Sequence, residues 1–365
     1  MKIDIIAGAR PNFIKIAPLI ETINKFKKNG KDINYRLVHT GQHYDKNMSG
    51  SFFEQLGIPD PDVNLGAGGG TQAEQTAAIM MGYEKLLLLE PVDLCVVVGD
   101  VTSTMACTIV ARKLTIPVAH IEAGIRSGDW TMPEEINRVV TDSITNYFFT
   151  TTVTAVENLI KQGVDESHIF FVGNIMIDTF FKNRNHFKPP LIWNQLQLKK
   201  EDYLLLTMHR PSNVDDKEKL IAFLTQIINN SKVPVVFPVH PRTSKILQEM
   251  CFESDSLHLI EPLSYLEFNY LAENAKAVIT DSGGITEETT VMGVPCITLR
   301  NSTERPETIT IGTNELIGSN PQAIPPILKK LFENQWKKGK IPEKWDGKTA
   351  ERIVEILWNL RDDLN

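Results

Sequence analysis

Short apolar runs alternate with longer amphipathic segments along almost the whole chain. In the first half, Lys2 to Ala7, Tyr35 to Thr40, Asp93 to Val98, Pro117 to Ile121, Tyr147 to Thr150 and Ile169 to Val172 read as strands. Between them, Asn12 to Lys28 spaces Ile14, Ala17, Leu19, Ile20 and Ile23 as a helix does, and Thr102 to Leu114 predicts another. Met48 to Leu56 is a further helix candidate, and a helix opens near Thr71 after a glycine-rich stretch, Gly66 to Gly70. That stretch is read as a flexible loop that could serve as a lid. The segment NRNHFKPPLIW, broken by Pro189 and Pro190, reads as a linker. Alternation then resumes, with strands over Tyr203 to Thr207, Pro234 to Val239, Leu257 to Ile260, Ala277 to Thr280 and Pro295 to Leu299. Helices are predicted over Lys217 to Asn229, Tyr265 to Asn274 and Ile285 to Met292. Gly347 to Leu360 carries Ile353, Ile356, Leu357 and Leu360 at helical spacing.

This alternation predicts an α/β protein of two Rossmann-like, doubly wound domains, each a parallel sheet covered on both faces. The expected division is residues 1–174, residues 175–345, and a terminal helix, 346–365, packing back on the N-terminal domain. Ligands of such sheets bind beyond the carboxyl ends of the strands. Arg10, Gln42, Asp100 and Glu122 all fall there and are expected to share one crevice rim. Ligands often sit between two such domains.

Charge and composition narrow the partners. A net charge of −7 argues against nucleic-acid binding through a broad basic face and leaves room for a local basic pocket for a phosphorylated small molecule. Cys95, Cys107, Cys251 and Cys296 lie far apart without CxxC spacing, so small core residues are expected rather than disulfides or a metal site. No apolar run approaches the roughly twenty residues that span a bilayer. The start, MKIDIIAGARP, is too short for a signal core, and a cytoplasmic location is expected.

The densest chemistry is in HIEAGIRSGDWTMPEEINR, His120 to Arg138, just past a strand. Its acidic and basic groups suit proton transfer on a charged substrate, against the plainer account of a solvated loop with surface ion pairs. DSGGITEE, Asp281 to Glu288, follows a strand and opens a helix, so Ser282, Gly283 and Gly284 offer N–H groups to a phosphate. An ordinary turn with Ser282 as N-cap competes with that reading. Glu288 could accept hydrogen bonds from ribose hydroxyls. Arg10 and Lys15 follow the first strand and could clamp phosphate. His209 and His240 sit at matching strand ends, each near an arginine, Arg210 or Arg242, and read as diphosphate ligands or proton donors. Neither a Walker A loop nor GxGxxG nor GxSxG is present, so NTP hydrolysis, NAD and acyl chemistry are not first choices.

GARPNFIKIAP, GDVTST, HIEAGIRSGD, MPEEINR, GNIMID, DSGGITEE and TERPETITIGT occur in order. Together they closely resemble the non-hydrolysing UDP-N-acetylglucosamine 2-epimerases. The resemblance implies the two-domain GT-B fold with the active site in the interdomain cleft, a homodimer, no cofactor and no essential metal. It implies interconversion of UDP-N-acetylglucosamine and UDP-N-acetylmannosamine by elimination of UDP and re-addition through 2-acetamidoglucal. Asp100, Glu122 and Glu134 match the family's catalytic carboxylates, and His209 its essential histidine. Arg10, Lys15, His240, Ser282, Gly283 and Gly284 match diphosphate contacts, with Glu288 on the ribose and Arg138 and Arg305 in charge-stabilising places. GQHYDKN puts Asp45 where substrate-activated bacterial members carry a second glutamine, and GGGTQAEQ lacks their arginine. GARPNFIK, TGQHYD and GGGTQ are also similar to epimerases of UDP-2,3-diacetamido-2,3-dideoxy-glucuronate. Hydrolysing epimerases and GT-B glycosyltransferases are the remaining alternatives.

Overall fold

The computed structural model describes residues 1–41 and 57–362, apart from the side chains of Arg10, Pro11, Pro211 and Ser212. The predicted helix Met48 to Leu56, the rim residue Gln42 and the departure at Asp45 lie outside the described residues. The chain divides into two compact units, Met1–Thr179 with Glu343–Asn365, and Phe180–Pro342.

The first unit contains strands β1 (Lys2–Ala7), β2 (Asn34–His39), β3 (Val63–Asn64), β4 (Leu94–Val98), β5 (Val118–Ala123), β6 (Tyr147–Thr150) and β7 (Ile169–Phe171). They form one sheet in the order β3-β2-β1-β4-β5-β6-β7, parallel throughout. Helices α1 (Arg10–Lys28), α2 (Gln72–Leu89), α3 (Thr102–Lys113), α4 (Pro133–Ile144) and α5 (Val153–Lys161) make the crossovers, and α6 (Ile175–Asn183) follows. Successive strand residues face opposite sides. Ile3, Ile5, Leu94, Val96 and Val98 pack with Ile16, Ile20 and Ile23 of α1. Ile6, Cys95 and Val97 pack with Ile79, Tyr83 and Leu87 of α2 and Val110 of α3. β4 is buried on both faces, which favours the continuous apolar run LCVVV.

The second unit repeats the plan with β8 (Leu204–Thr207), β9 (Val235–Pro238), β10 (Leu257–Ile260), β11 (Ala277–Thr280), β12 (Cys296–Thr298) and β13 (Asn314–Leu316). Their order is β10-β9-β8-β11-β12-β13, again all parallel. Its helices are α7 (Leu191–Gln195), α8 (Pro211–Val214), α9 (Lys217–Asn230), α10 (Pro241–Glu249), α11 (Tyr265–Asn274), α12 (Gly283–Met292), α13 (Pro306–Thr310) and α14 (Ile324–Phe332). The strand order reverses between β1 and β4 in one sheet and between β8 and β11 in the other. Those switch points are where such sheets open a crevice for ligands.

Three details differ from the sequence reading. Edge strands β3 and β13 are too short for periodicity to announce them. The segment around Pro189 and Pro190 is not a loose linker but part of the second unit, because Phe187 packs on Phe180 and Tyr265, and Trp193 on Tyr203 and Tyr270. Cys251 is exposed at the end of α10, whereas the other three cysteines are buried.

The division also falls at Thr179/Phe180 and Pro342/Glu343 rather than after residues 174 and 345. Thr179 donates to the Ile14 carbonyl, and Asp178 accepts from the Thr349 and Ala350 N–H groups, holding the start of α6 on the first unit. Lys344 and Trp345 donate to the Phe171 and Thr151 carbonyls. The terminal helix α15 (Thr349–Asn359) sinks Ile353, Val354 and Leu357 into the core beside α1. Among the described residues no helix is long and apolar enough to cross a membrane.

Candidate active site

The first cluster forms at the ends of β1, β4 and β5. Asn12 accepts hydrogen bonds from the Gly8 and Ala9 N–H groups and donates to the Val98 carbonyl, tying the start of α1 to the end of β4. One turn later Lys15 reaches Glu122, Nζ to Oε2 2.7 Å, with both side chains buried. Gly99 completes this corner. A side chain there would begin 3.1 Å from Lys15 Nζ, on a backbone with φ of +71°. Glu122 itself has a φ of +73°, where β5 shifts register against β6. A left-handed non-glycine residue costs on the order of 1–3 kcal/mol and persists only where its surroundings hold it.

The second cluster joins β4 to α4. Arg138 pairs with Asp100 through one terminal nitrogen and with Glu135 through the other, at 2.8 Å. The Asn137 amide donates to the Asp100 carbonyl at 2.9 Å. Glu135 also accepts from the Ser127 N–H and hydroxyl and from the Gly128 N–H, so it fastens the preceding loop to α4. Burial pushes the Glu135 carboxyl up, but these N–H groups and Arg138 more than offset it and hold it below the usual range. Glu134 is half-buried on the same helix, and among the described residues it makes no hydrogen bond or ion pair.

Beneath both clusters lies His120, fully buried in β5. Its Nδ1 faces Asp142 at 2.7 Å and its Nε2 faces the Gly99 carbonyl at 2.8 Å. Burial raises the Asp142 carboxyl, while His120 and Arg126 more than compensate and keep it low. Asp142 also accepts from the Gly124 N–H. The buried ring is thus held at both nitrogens, between a carboxylate and a backbone carbonyl. The His120–Asp142 pair thereby clamps the turn that presents Asp100 to the turn that follows Glu122.

The second unit gathers its polar groups at the ends of β8 and β11. His209 Nδ1 lies 2.8 Å from Asp281, whose side chain is fully buried. The α12 helix starts directly after β11, and Ser282 stands at its N-cap position without making a side-chain cap. Gly283 is pressed against an ion pair. A Cβ there would begin 3.0 Å from Glu304, which Arg300 grips through both terminal nitrogens. Burial raises Glu304, but Arg300 and Arg305 outweigh it and hold the carboxyl down at about 2. Glu288, one helical turn on, is buried and accepts the Tyr265 hydroxyl at 2.7 Å. Burial outweighs that bond and lifts its carboxyl to about 7. Helix N-terminal N–H groups with a glycine at close approach suit an anion, and a buried acceptor one turn away suits hydroxyls.

The sequence model of the UDP-N-acetylglucosamine 2-epimerases matches residues 25–358. The chain belongs to that family. It is 42% identical to the UDP-N-acetylglucosamine 2-epimerase of Methanocaldococcus jannaschii, covering 98% of this chain and 99% of the relative. The crystal structure of that enzyme in complex with UDP-GlcNAc and UDP superposes with a TM-score of 0.85, over 98% of this chain and 99% of the other. The chain is also 39% identical to the UDP-2,3-diacetamido-2,3-dideoxy-D-glucuronate 2-epimerase of Pseudomonas aeruginosa, over 87% of this chain and 89% of the relative. MurG of Acinetobacter baumannii, at 12% identity and a TM-score of 0.54 over 99% of each chain, shares the fold. The protein is an isomerase-family member with the two-domain α/β architecture of GT-B-like enzymes.

Within this epimerase, several expected substrate-binding residues have local partners. Lys15 is engaged with Glu122, and the Arg305 Nε with Glu287 at 2.5 Å. His240 caps α10, its Nδ1 accepting the Arg242 N–H, and the Arg242 side chain pairs with Asp215. The Arg10 backbone opens α1, and its side chain is outside the described atoms. Sequence reasoning gave no role to Glu135, His120, Asp142, Tyr265 or Asp281. His120, Glu135 and Asp281 carried a signal, as members of HIEAG, MPEEINR and DSGG. The others became legible when the chain brought them to their partners.

Proposed function

We propose that the protein interconverts UDP-N-acetylglucosamine and UDP-N-acetylmannosamine in the cytoplasm, inverting C2 without cofactor. The observation that carries the reading is the pair of carboxylates, Asp100 and Glu122, each held by a cation at the neighbouring ends of β4 and β5. The C2 proton of this sugar is not acidic, so its removal is coupled to departure of UDP from C1. The bond electrons pass to the β-phosphate oxygen, leaving 2-acetamidoglucal. UDP adds back while C2 takes a proton on its other face. Asp100, Glu122 and Glu134 supply the carboxylates around C2, and Arg138 balances their charge. His209 meets the leaving phosphate, with the N–H groups at Ser282, Gly283 and Gly284 and the Arg10 guanidinium on the diphosphate. His240 keeps Nε2 for the same anion, and Glu288 takes the ribose hydroxyls. We assign Lys15 and Arg305 to holding Glu122 and Glu287 rather than to phosphate.

Incubation with UDP-N-acetylglucosamine in deuterated water tests this. Deuterium at C2 with the UDP-sugar retained is expected. Accumulating free sugar and UDP would point to a hydrolysing enzyme, and no exchange would sink both. A second reading, UDP-2,3-diacetamido-2,3-dideoxy-glucuronate as the substrate, is favoured by the 39% identical Pseudomonas relative. The same experiment with that sugar decides between them by relative kcat/KM. A homodimer is also proposed, with the exposed Met81, Leu88 and Leu89 stripe of α2 covered by a second copy. Light scattering on a Leu88→Glu, Leu89→Glu variant should then give the monomer mass.

A further inference from the structure

Strands β8 and β11 are neighbours in register, with Thr207 beside Thr280. The residues just past their ends therefore meet. Asp281 is fully buried there and collects donors from the turn after β8. It accepts from the His209 N–H at 3.1 Å, the Arg210 N–H at 3.0 Å and the Asn213 amide at 3.1 Å. Its fourth neighbour is His209 Nδ1 at 2.8 Å. Burial raises the Asp281 carboxyl, but His209 and these donors more than offset that and hold it below the usual carboxylate range. An ionised carboxylate only accepts, so Nδ1 must carry the proton. The histidine side chain is 59% exposed, which turns Nε2, on the far side of the ring, away from Asp281 and outward.

We propose that Asp281 is the positioning residue for His209, fixing the ring and its Nδ1–H so that Nε2 is the nitrogen presented to the leaving phosphate. The proposal rests on the reading of His209 as the phosphate-facing group. In the forward step the C1–O bond breaks and its electron pair goes to the β-phosphate oxygen. The C2 proton goes to a carboxylate. Nε2–H donates to the departing phosphate, and the Nδ1–H stays on Asp281's side. On re-addition the phosphate oxygen attacks C1, a carboxylate returns a proton to the other face of C2, and the Nε2–H contact to the phosphate is released. The backbone bonds to His209 and Arg210 place the ring before substrate arrives, so the orientation is not assembled during the reaction.

Nitrogen NMR on the full chain labelled at histidine tests this without any substitution. With the His209 signal assigned by its loss in His209→Gln, the ring is expected as the Nδ1–H tautomer at alkaline pH. Water favours the opposite tautomer, so an Nε2–H ring with bare Nδ1 would overturn the proposal. Kinetics gives a second readout. Asp281→Asn must place an amide NH2 among four donors, and kcat is expected to fall by about a hundredfold or more. KM and UDP affinity by calorimetry should stay within about threefold, a split that general misfolding would not give. Asp281→Glu, which keeps the charge, should recover part of kcat. Wild-type kcat in Asp281→Asn would refute the proposal. Wild-type kcat in His209→Gln would instead refute the reading of His209, so the two failures are separable.

Discussion

At the scale of single residues, several of the site's charges are already answered. Lys15 and Glu122 are buried against each other on a backbone that Glu122 adopts only under constraint. Removing one partner of such a pair leaves a buried charge, which costs about 3–5 kcal/mol. Lys15→Met is therefore expected to lower the urea midpoint strongly and to reduce kcat. The double variant Lys15→Met, Glu122→Gln should regain most of the stability and none of the turnover. Glu288 makes a pH prediction. Its carboxyl sits at about 7 in the fold against an ordinary value of 4.5, so the folded state holds an extra proton between them. That stability is fully present below pH 4.5 and is lost as pH rises through about 7. UDP binding should run the other way, because ribose hydroxyls donate best to the ionised carboxylate. Melting and calorimetric titrations from pH 5 to 8 check both slopes, and Glu288→Gln should flatten them.

At the scale of elements, α4 matters less for its charged surface than for what it holds. Glu135 satisfies two N–H groups and a hydroxyl of the preceding loop while keeping Arg138 aimed at Asp100. Glu135→Gln turns an NH2 toward those donors, at a cost of about 1–3 kcal/mol for each group left unsatisfied. Turnover should fall by about tenfold or more, since a misaligned group remote from the chemistry can cost up to a hundredfold. Ile136→Ala, at a neighbouring exposed position, should change stability by less than about 0.5 kcal/mol. The terminal helix α15 works through packing. Ile353 is fully buried beside α1, so Ile353→Ala should cost about 2–5 kcal/mol in denaturant unfolding.

At the scale of the molecule, chemistry is divided between two sheets that each place polar groups where their strand order reverses. The proposed proton-transfer residues fold with the first unit, and Ser282, Gly283 and Glu288 with the second. Asp100→Asn and Glu122→Gln are thus expected to abolish deuterium incorporation while UDP affinity stays within about threefold by calorimetry. A large loss of UDP binding in either variant would contradict that division.

The strand runs, the doubled architecture and the position of Asp100 just past β4 were legible in the sequence, whereas Glu122, expected just past its strand, is the last residue but one of β5. A strand buried on both faces is mostly apolar, and its end turns through glycine or polar residues. The terminal helix was legible for the same reason, through its apolar stripe. The edge strands β3 and β13 were not, because two or three residues carry no period. Nor was the identity of each charge's partner. Lys15 and His240 read as phosphate contacts, Arg305 as a charge-stabilising group and Glu135 had no assigned role, because sequence shows a charge but not what it pairs with. Pairing depends on sheet register and helix packing, which bring Lys15 to Glu122 and His209 to Asp281 across long stretches of chain. The sequence by itself determined which groups stand at the strand ends, since hydrophobic burial dictates where strands run. Only the tertiary structure decided which of those groups are occupied with each other and which face outward, since a buried charge must find its counter-charge in space.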